Sequence, residues 1–357
     1  MEFNDVRLQY LALRDEIDSA IAQVLRTGRY ILGPSVQAFE DEFARYCRVA
    51  IGIGVGSGTD ALSIALSALG IRPGDEVLVP AVTAAATAMA VTSIKARPVF
   101  VDISPDDFNM DPAQTLERKT SRTRAVVPVH LYGMPARLKE IAKAGVPVVE
   151  DASHGHGSDA RWGRCGSFGV AAAFSFYPTK NLGAYGDGGM IVTWDAGIAE
   201  RSRLLRNYGQ RENVSSEMLG HNSRLDELHA AVLRVKLRML DEWNQRRREI
   251  AGLYRKALGE LPLGLQAETG ESNYHLFVIT SSERDKLRAH LNSLGIPTLV
   301  HYPIPVHRQK AFREFSPERC PNADLLCSRV LSLPIHAFLS NGEAERVIDG
   351  VRSFFQR

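Results

Sequence analysis

The sequence has few cysteines and almost no excess of charge of one sign. Four cysteines occur in 357 residues, and no pair of them has Cys-x-x-Cys spacing, so neither a zinc site nor a disulfide framework is predicted. The 43 lysines and arginines nearly balance the 41 aspartates and glutamates, which leaves a net charge of +2. No basic block stands out except Arg246-Arg247-Arg248 in a probable helix, so we expect no nucleic-acid partner.

Long hydrophobic runs are also missing. The longest nearly apolar stretch, residues 77–91, is interrupted by Pro80, Thr83 and Thr87 and is too short to cross a bilayer. The first residues carry Glu2, Asp5 and Arg7 where a secretory peptide needs an apolar segment. We therefore expect a cytoplasmic protein with no membrane partner.

Lysine is scarce, and one lysine occupies an unusual position. Only nine lysines occur, and Lys180 directly follows an apolar and aromatic run, FSFYPT at residues 174–179. Burial makes an ammonium costly, lowers its pKa and makes the amine nucleophilic enough to form a Schiff base. The alternative is a surface lysine where a strand enters a loop.

A carboxylate and two histidines follow another apolar run, residues 146–149. Asp151 could pair with a protonated pyridine nitrogen, and together with the amine of Lys180 it predicts a site for pyridoxal phosphate (PLP). The alternative for Asp151 is an ordinary cap on the next turn. His154 and His156 form a His-x-His without further ligands, so no metal is predicted. His154 suits a hydrogen bond beside the cofactor ring, and His156 a structural role.

A glycine-rich loop leads into a helix at GSGTDAL, residues 56–62. Free amides at a helix N-terminus bind phosphate, and Ser57 and Thr59 add hydroxyl donors. The segment has neither the dinucleotide spacing nor the ending of a P-loop, and by itself it is a weak signal.

Short apolar strands alternate with helices through the first two thirds of the chain, which predicts an α/β fold with a mostly parallel sheet. The predicted strands are 76–82, 97–102, 125–130, 146–150, 171–176 and 190–194. Helices are expected at 6–28, 34–47, 59–69, 83–94 and 137–144, and a long helix at 226–258. We expect a large α/β domain, residues 1–240, and a smaller C-terminal α+β domain, residues 241–357.

These motifs together resemble the sugar aminotransferases of the DegT/DnrJ/EryC1/StrS family over nearly the whole chain. The matching segments include GRYILGP (28–34), GSGTDAL (56–62), PVHLYG (128–133), EDA (150–152), GDGG (186–189), NSRLDE (222–227) and HYP (301–303). The resemblance implies PLP-dependent fold type I, of the aspartate-aminotransferase type, and a homodimer with active sites shared between subunits.

The resemblance also implies roles for individual residues. Lys180 binds the cofactor covalently and then carries the proton, Asp151 pairs with the pyridine nitrogen, and His154 lies near the phenolic oxygen. The expected phosphate ligands are Ser57, Gly58, Thr59, Ser175 and, reaching into the neighbouring subunit's site, Asn222. Where the family usually places an aromatic or histidine on the pyridine ring, this chain has Ala84, so we expect a roomier pocket or weaker cofactor retention.

Several segments are most similar to the branch that aminates nucleotide-linked 3-keto-6-deoxyhexoses, with dTDP as the expected nucleotide and L-glutamate as the amino donor. In that branch the residues expected near the sugar are Tyr185, Tyr302 and His307. The alternative for residues 301–307 is a rigid proline-rich loop. The alternative function is a 4-aminotransferase acting on a 4-keto sugar; a sugar dehydratase of this fold would have histidine in place of Lys180.

Overall fold

The computed structural model describes residues 1–160, 162–211, 215–315 and 319–356. Its strands are β1 (Ile51–Val55), β2 (Glu76–Pro80), β3 (Arg97–Val101), β4 (Thr123–Val126), β5 (Val149–Asp151), β6 (Asp159–Ala160), β7 (Gly163–Arg164), β8 (Ala171–Ser175), β9 (Gly189–Thr193), β10 (Gly264–Leu265), β11 (Phe277–Thr280) and β12 (Val330–Leu333).

The helices of this part of the chain are α1 (Arg7–Ala12), α2 (Arg14–Thr27), α3 (Pro34–Tyr46), α4 (Gly58–Leu69), α5 (Ala85–Ser93), α6 (Pro112–Arg118), α7 (Leu138–Ile141), α8 (Ala196–Arg206), α9 (Glu227–Leu237), α10 (Leu240–Leu258), α11 (Arg284–Ser293), α12 (Pro321–Arg329) and α13 (Asn341–Phe355). Single 3₁₀ turns lie at Leu131–Gly133, Ala142–Ala144, Val306–Arg308 and Lys310–Phe315.

Seven strands form the large sheet, in the order β3-β2-β4-β5-β8-β9-β1. Its two halves, β3-β2-β4 and β5-β8-β9-β1, are joined by isolated parallel bridges from Val126 to Val148 and from Val129 to Asp151. Strand β9 is antiparallel to both of its neighbours, and the other pairings are parallel. Helices cover the sheet, so its strands are buried and apolar, as in β2, where all five residues are buried. The predicted α/β fold with a mostly parallel sheet is confirmed.

The strand directions determine where a site can form. Strands β1, β5 and β8 point the same way, so their carboxyl ends meet at one edge of the sheet. Asp151 is the last residue of β5, Ser175 is the last of β8, and α4 begins three residues after β1. Clefts at the carboxyl ends of such strands are the usual ligand sites of open α/β sheets.

The C-terminal part of the chain has its own apolar core and a small antiparallel sheet, β10-β11-β12. Its core joins α10, α11 and α13 to this sheet through side chains such as Tyr254, Phe277 and Val347. Val306 and Phe312, however, belong to the core of the large sheet. The proposed division between residues 240 and 241 therefore stays a prediction, although α10 begins at that point.

Two helices predicted as single are each divided in two. The helix expected at 6–28 breaks at Leu13, whose φ of −123° and ψ of 20° are not helical, and Gly28 ends α2 with a φ of 66°. The helix expected at 226–258 ends at Leu237 and resumes as α10 at Leu240. Strand β1 lies in the glycine-rich segment and was missing from the expected strands. Among the described residues, no helix is both long and apolar enough to span a membrane.

Candidate active site

A cavity of about 230 Å³ lies at the carboxyl edge of β5 and β8. Seven of the predicted cofactor residues line it: Ser57, Gly58, Thr59, Asp151, His154, Ser175 and Lys180. Ala84 lines it too, with Leu62, Thr83, Ala86, Val129, Ser153, Tyr177 and Asp187. Residues from five separate segments thus converge on one space.

One end of the cavity is the N-terminus of α4. Ser57 is the N-cap, and its hydroxyl accepts a hydrogen bond from the amide of Asp60 at 3.1 Å. A Cβ at Gly58 would lie 2.6 Å from the Cβ of Ser175, so only glycine allows this approach of helix and strand. The free amides at this helix start form a binding site that suits a phosphate group, and the hydroxyls of Ser57, Thr59 and Ser175 surround it.

A neighbouring pair of side chains holds this helix start in place. The hydroxyl of Ser223 donates to Asp60 Oδ2 at 2.7 Å and accepts from the amide of Gly56 at 3.0 Å. The GSGTDAL and NSRLDE segments are therefore in contact, which explains why both belong to the same sequence pattern.

Lys180 lies in the turn that follows β8, where its amide donates to the carbonyl of Tyr177 at 2.8 Å. Burial lowers the pKa of its amine from 10.5 to about 8, and the nearby Asp151 carboxylate partly opposes this change. Such an amine is neutral more often than an exposed lysine, so it can act as a nucleophile or as a base.

Asp151 is buried at the end of β5. Its Oδ2 accepts a hydrogen bond from the Thr87 hydroxyl at 2.8 Å, and its Oδ1 accepts one from the Ser153 amide at 3.1 Å. Within the described chain, no basic side chain forms an ion pair with it. A buried carboxylate that faces a cavity and forms no ion pair among the described residues fits a ligand that carries a protonated nitrogen.

The backbone determines which nitrogen of His154 carries its proton. The amide of Tyr132 donates to Nδ1 at 3.2 Å, so the neutral ring carries its hydrogen on Nε2. Burial, and then the charge of Lys180, holds the pKa of His154 well below its usual range. His154 is thus a neutral side chain that can donate a hydrogen bond within the cavity.

A buried amide network beneath Lys180 was not predicted from the sequence. Asn181 donates through its amide nitrogen to Asn244 Oδ1 at 2.8 Å, and its Oδ1 accepts a hydrogen bond from His275 Nδ1 at 3.0 Å. Asn273 donates to the carbonyls of His154 and His156 at 2.8 and 2.9 Å. These contacts tie the Lys180 turn and the segment after β5 to residues from the last third of the chain.

Lys236 is a buried lysine that the sequence pattern did not reveal. Its Nζ donates to the carbonyl of Gly183 at 2.8 Å and lies 4.2 Å from the ring centre of Tyr185. Burial lowers its pKa from 10.5 to about 8. It lies on α9 outside the cavity, so it supports the glycine-rich turn after Lys180 rather than lining the site.

The remaining predicted residues lie outside the cavity lining. Tyr302 is close enough to Asp151 for the carboxylate, after burial, to raise the pKa of its phenol. Tyr185 is 43% exposed, and Asn222 is also exposed. His307 is buried against Phe100, with Nε2 3.5 Å from Asp324 Oδ1. The substrate roles of these tyrosines and of His307, and the role of Asn222, stay predictions. Among the described residues no group of three or more metal-ligating side chains occurs.

Comparison with known proteins identifies the family. A model of the DegT/DnrJ/EryC1/StrS aminotransferase family matches residues 12–352. A dTDP-3-amino-3,4,6-trideoxy-alpha-D-glucose transaminase from Streptomyces venezuelae is 48% identical over 99% of this chain and 96% of that protein. A UDP-N-acetyl-3-dehydro-alpha-D-glucosamine 3-aminotransferase from Acidithiobacillus ferrooxidans is 43% identical over 98% of this chain and 96% of that protein.

A solved structure is similar over its whole length. The crystal structure of S. venezuelae DesV in complex with a ketimine intermediate has a TM-score of 0.98 and 47% identity, and the match covers 100% of this chain and 98% of that one. The buried amine, the buried carboxylate and the phosphate-binding site at Gly58 fit the cofactor that this family uses. The chain therefore belongs to the DegT/DnrJ/EryC1/StrS aminotransferase family, and its cofactor is PLP.

Proposed function

We propose that this protein transfers an amino group from L-glutamate to C3 of a dTDP-linked 3-keto-6-deoxyhexose. The observation that carries the proposal is the 48% identity, over nearly the whole chain, to a transaminase whose name specifies a dTDP-linked 3-amino sugar. The relative that acts on a UDP sugar is also a 3-aminotransferase. Amination at C3 is therefore favoured over the 4-aminotransferase alternative.

Each residue of the cavity has a task in this reaction. When bound, PLP supplies an electron sink that stabilises negative charge on the carbon that exchanges a proton. The α4 N-terminus with Ser57, Thr59 and Ser175 would hold the phosphate, and Asp151 would pair with the protonated pyridine nitrogen. The neutral His154 would donate from Nε2 to an oxygen of the ring.

Lys180 has two tasks, because its Nζ both binds the cofactor and moves protons. As a free neutral amine, it would take the proton from the α-carbon of glutamate and become an ammonium; in the second half of the cycle its protonated form would deliver a proton to C3 of the sugar. Its lowered pKa of about 8 keeps part of the amine unprotonated near neutral pH, which a base requires.

We propose a cytoplasmic homodimer with shared active sites. Large apolar side chains are exposed on the single chain near the segment of Asn222, including Met218 at 37% and Leu219 at 96% exposure. Patches of this kind mark protein interfaces. A direct test mixes a Lys180→Ala protein with an Asn222→Ala protein: recovery of activity in the mixture supports shared sites, and lack of recovery with a proven mixed dimer contradicts them.

The test of the function uses dTDP-4-keto-6-deoxyglucose and L-glutamate, with and without a 3,4-ketoisomerase, and locates the new amine by NMR. We expect an amine at C3 only when the isomerase is present. An amine at C4 without the isomerase would assign the protein to the alternative reaction. No amine in either tube would reject this nucleotide sugar, and the Lys180→Ala variant serves as the inactive control.

A further inference from the structure

Two buried threonines form a hydrogen-bonded chain that ends on Asp151. Thr83 lies in the loop after β2, and Thr87 lies in the first turn of α5. Their hydroxyls are 3.0 Å apart, and the Thr87 hydroxyl is 2.8 Å from Asp151 Oδ2. The exposed fractions of Thr83, Thr87 and Asp151 are only 3%, 1% and 4%, so water competes little for these contacts.

The chemistry of the groups sets the direction of both hydrogen bonds. An ionised carboxylate only accepts, so Thr87 donates its one hydroxyl hydrogen to Asp151. The oxygen of Thr87 is then left as an acceptor, and Thr83 donates to it. In this arrangement every hydrogen points toward Asp151, so its Oδ2 is held by a directed pair of hydrogen bonds.

The other groups that face Asp151 act differently. The Ser153 amide holds Oδ1 at 3.1 Å. Lys180 and Tyr302 interact with the carboxylate electrostatically, without a hydrogen bond to it among the described contacts. Thr87 is therefore the side chain that fixes the position of Oδ2, and it does so from behind the cavity wall, because Thr83 lines the cavity and Thr87 does not.

We propose that Thr87 is a positioning residue for the cofactor, which holds Asp151 Oδ2 in place to face the pyridine nitrogen, and that Thr83 orients the Thr87 hydroxyl. Thr87 acts only through Asp151, because it does not line the cavity. Loss of the Thr87 hydroxyl leaves the carboxylate buried with one hydrogen bond fewer, so the ring nitrogen is held in its protonated form less firmly.

The test compares Thr87→Val, which keeps the shape but removes the hydroxyl, with Thr87→Ser, which keeps the hydroxyl. Two quantities are measured: the dissociation constant of PLP from titration of the apoprotein, and the pH midpoint of the visible absorbance change of the holoenzyme. Thr92→Val is the matched control, because Thr92 lies on the same helix and its hydroxyl bonds only a backbone carbonyl, that of Met89, at 3.0 Å.

For Thr87→Val we expect PLP binding to weaken roughly tenfold or more, since a hydrogen bond to a charged group is lost. The pH midpoint should rise. A positive charge on the ring nitrogen opposes protonation of the nitrogen that joins Lys180 to the cofactor, and this opposition is weaker when the ring nitrogen is less firmly protonated. Thr87→Ser should restore both values to within about threefold, and Thr83→Val should shift both in the same direction by a smaller amount.

Wild-type affinity and an unchanged midpoint in Thr87→Val would overturn the proposal. If that variant does not fold, Thr83→Val decides, because it breaks the chain without removing the bond to Asp151: a raised midpoint supports the proposal, and an unchanged one refutes it. Neither measurement uses a sugar, so failure here is distinguishable from failure of the proposed substrate.

Discussion

Replacing Lys180 by methionine should stabilise the cofactor-free protein at neutral pH, although it abolishes catalysis. In the unfolded chain the amine has its ordinary pKa of 10.5, whereas burial lowers it to about 8 in the fold. Below pH 8 the amine is protonated in both states, so the folded state contains a poorly solvated ammonium. Methionine has a similar length and cannot carry the charge.

The size of the effect follows from the two pKa values. The drop from 10.5 to about 8 corresponds to about 3 kcal/mol of folding free energy, an upper value because the side chain is reached through the cavity. The sign follows from proton linkage: between pH 8 and 10.5 the unfolded chain binds more protons, so wild-type stability rises with pH. The advantage of methionine is therefore largest below pH 8 and falls toward zero by about pH 10.5.

Urea unfolding of both apoproteins at pH 7, 8, 9 and 10 measures this difference directly. An exposed-lysine control, Lys139→Met, should change stability by no more than about 0.5 kcal/mol. A Lys180→Met protein that is less stable than wild type at pH 7, or a difference that does not change with pH, would refute the explanation in terms of burial.

Three further substitutions test other parts of the site. Gly58→Ala places a methyl group 2.6 Å from the Cβ of Ser175, so we expect a loss of about 1–3 kcal/mol of stability and weaker PLP binding by titration. Gly252→Ala is the control: no atom lies within 4 Å of the added methyl group, so this variant should not be destabilised. Ala84→Phe restores an aromatic side chain at the cavity wall and should tighten PLP binding by a few-fold to about tenfold in the same titration. The fully buried carboxylate of Glu150 accepts hydrogen bonds from three backbone amides and contacts His130, so Glu150→Gln would turn an amide group toward these partners. We expect the free energy of unfolding in urea to fall by about 3 kcal/mol or more. A fall of less than about 1 kcal/mol would contradict a structural role for the carboxylate.

The sequence predicted the parts of the site whose chemistry is local. Lys180 and Asp151 follow short apolar runs, and a charged residue at the end of a buried strand is visible without a structure. Gly58 and Ser175 were also predicted, but their contact was not, because only the sheet brings the β8 end against the start of α4.

Residues whose partners lie far away in the sequence were not predicted. Asn244 and Asn273 lie in polar segments with no motif, and only folding places them beneath the turn of Lys180. Lys236 falls on an amphipathic helix where a lysine indicates solvent exposure, yet its Nζ lies buried on the carbonyl of Gly183. In the sequence Thr87 is an ordinary helix residue, and only the structure shows that its hydroxyl donates a hydrogen bond to Asp151 Oδ2.

The helix breaks have a similar explanation. Periodicity continues through Leu13 and through Arg238, so it gives one helix in each region, whereas the structure interrupts the first at Leu13 and the second between Leu237 and Leu240. The pattern of apolar residues determines which face of a helix is buried, but it does not fix where a helix must turn to follow the core.

Borohydride reduction of the purified holoenzyme, followed by peptide mass mapping, tests the central assignment most directly. Reduction fixes the cofactor to the lysine that binds it covalently, and two described lysines have a pKa lowered to about 8, the half-buried Lys180 and the buried Lys236. We expect labelling of Lys180, with no label in Lys180→Met and full label in Lys236→Met. Label on Lys236, or no fixed cofactor in a yellow wild-type protein, would contradict it.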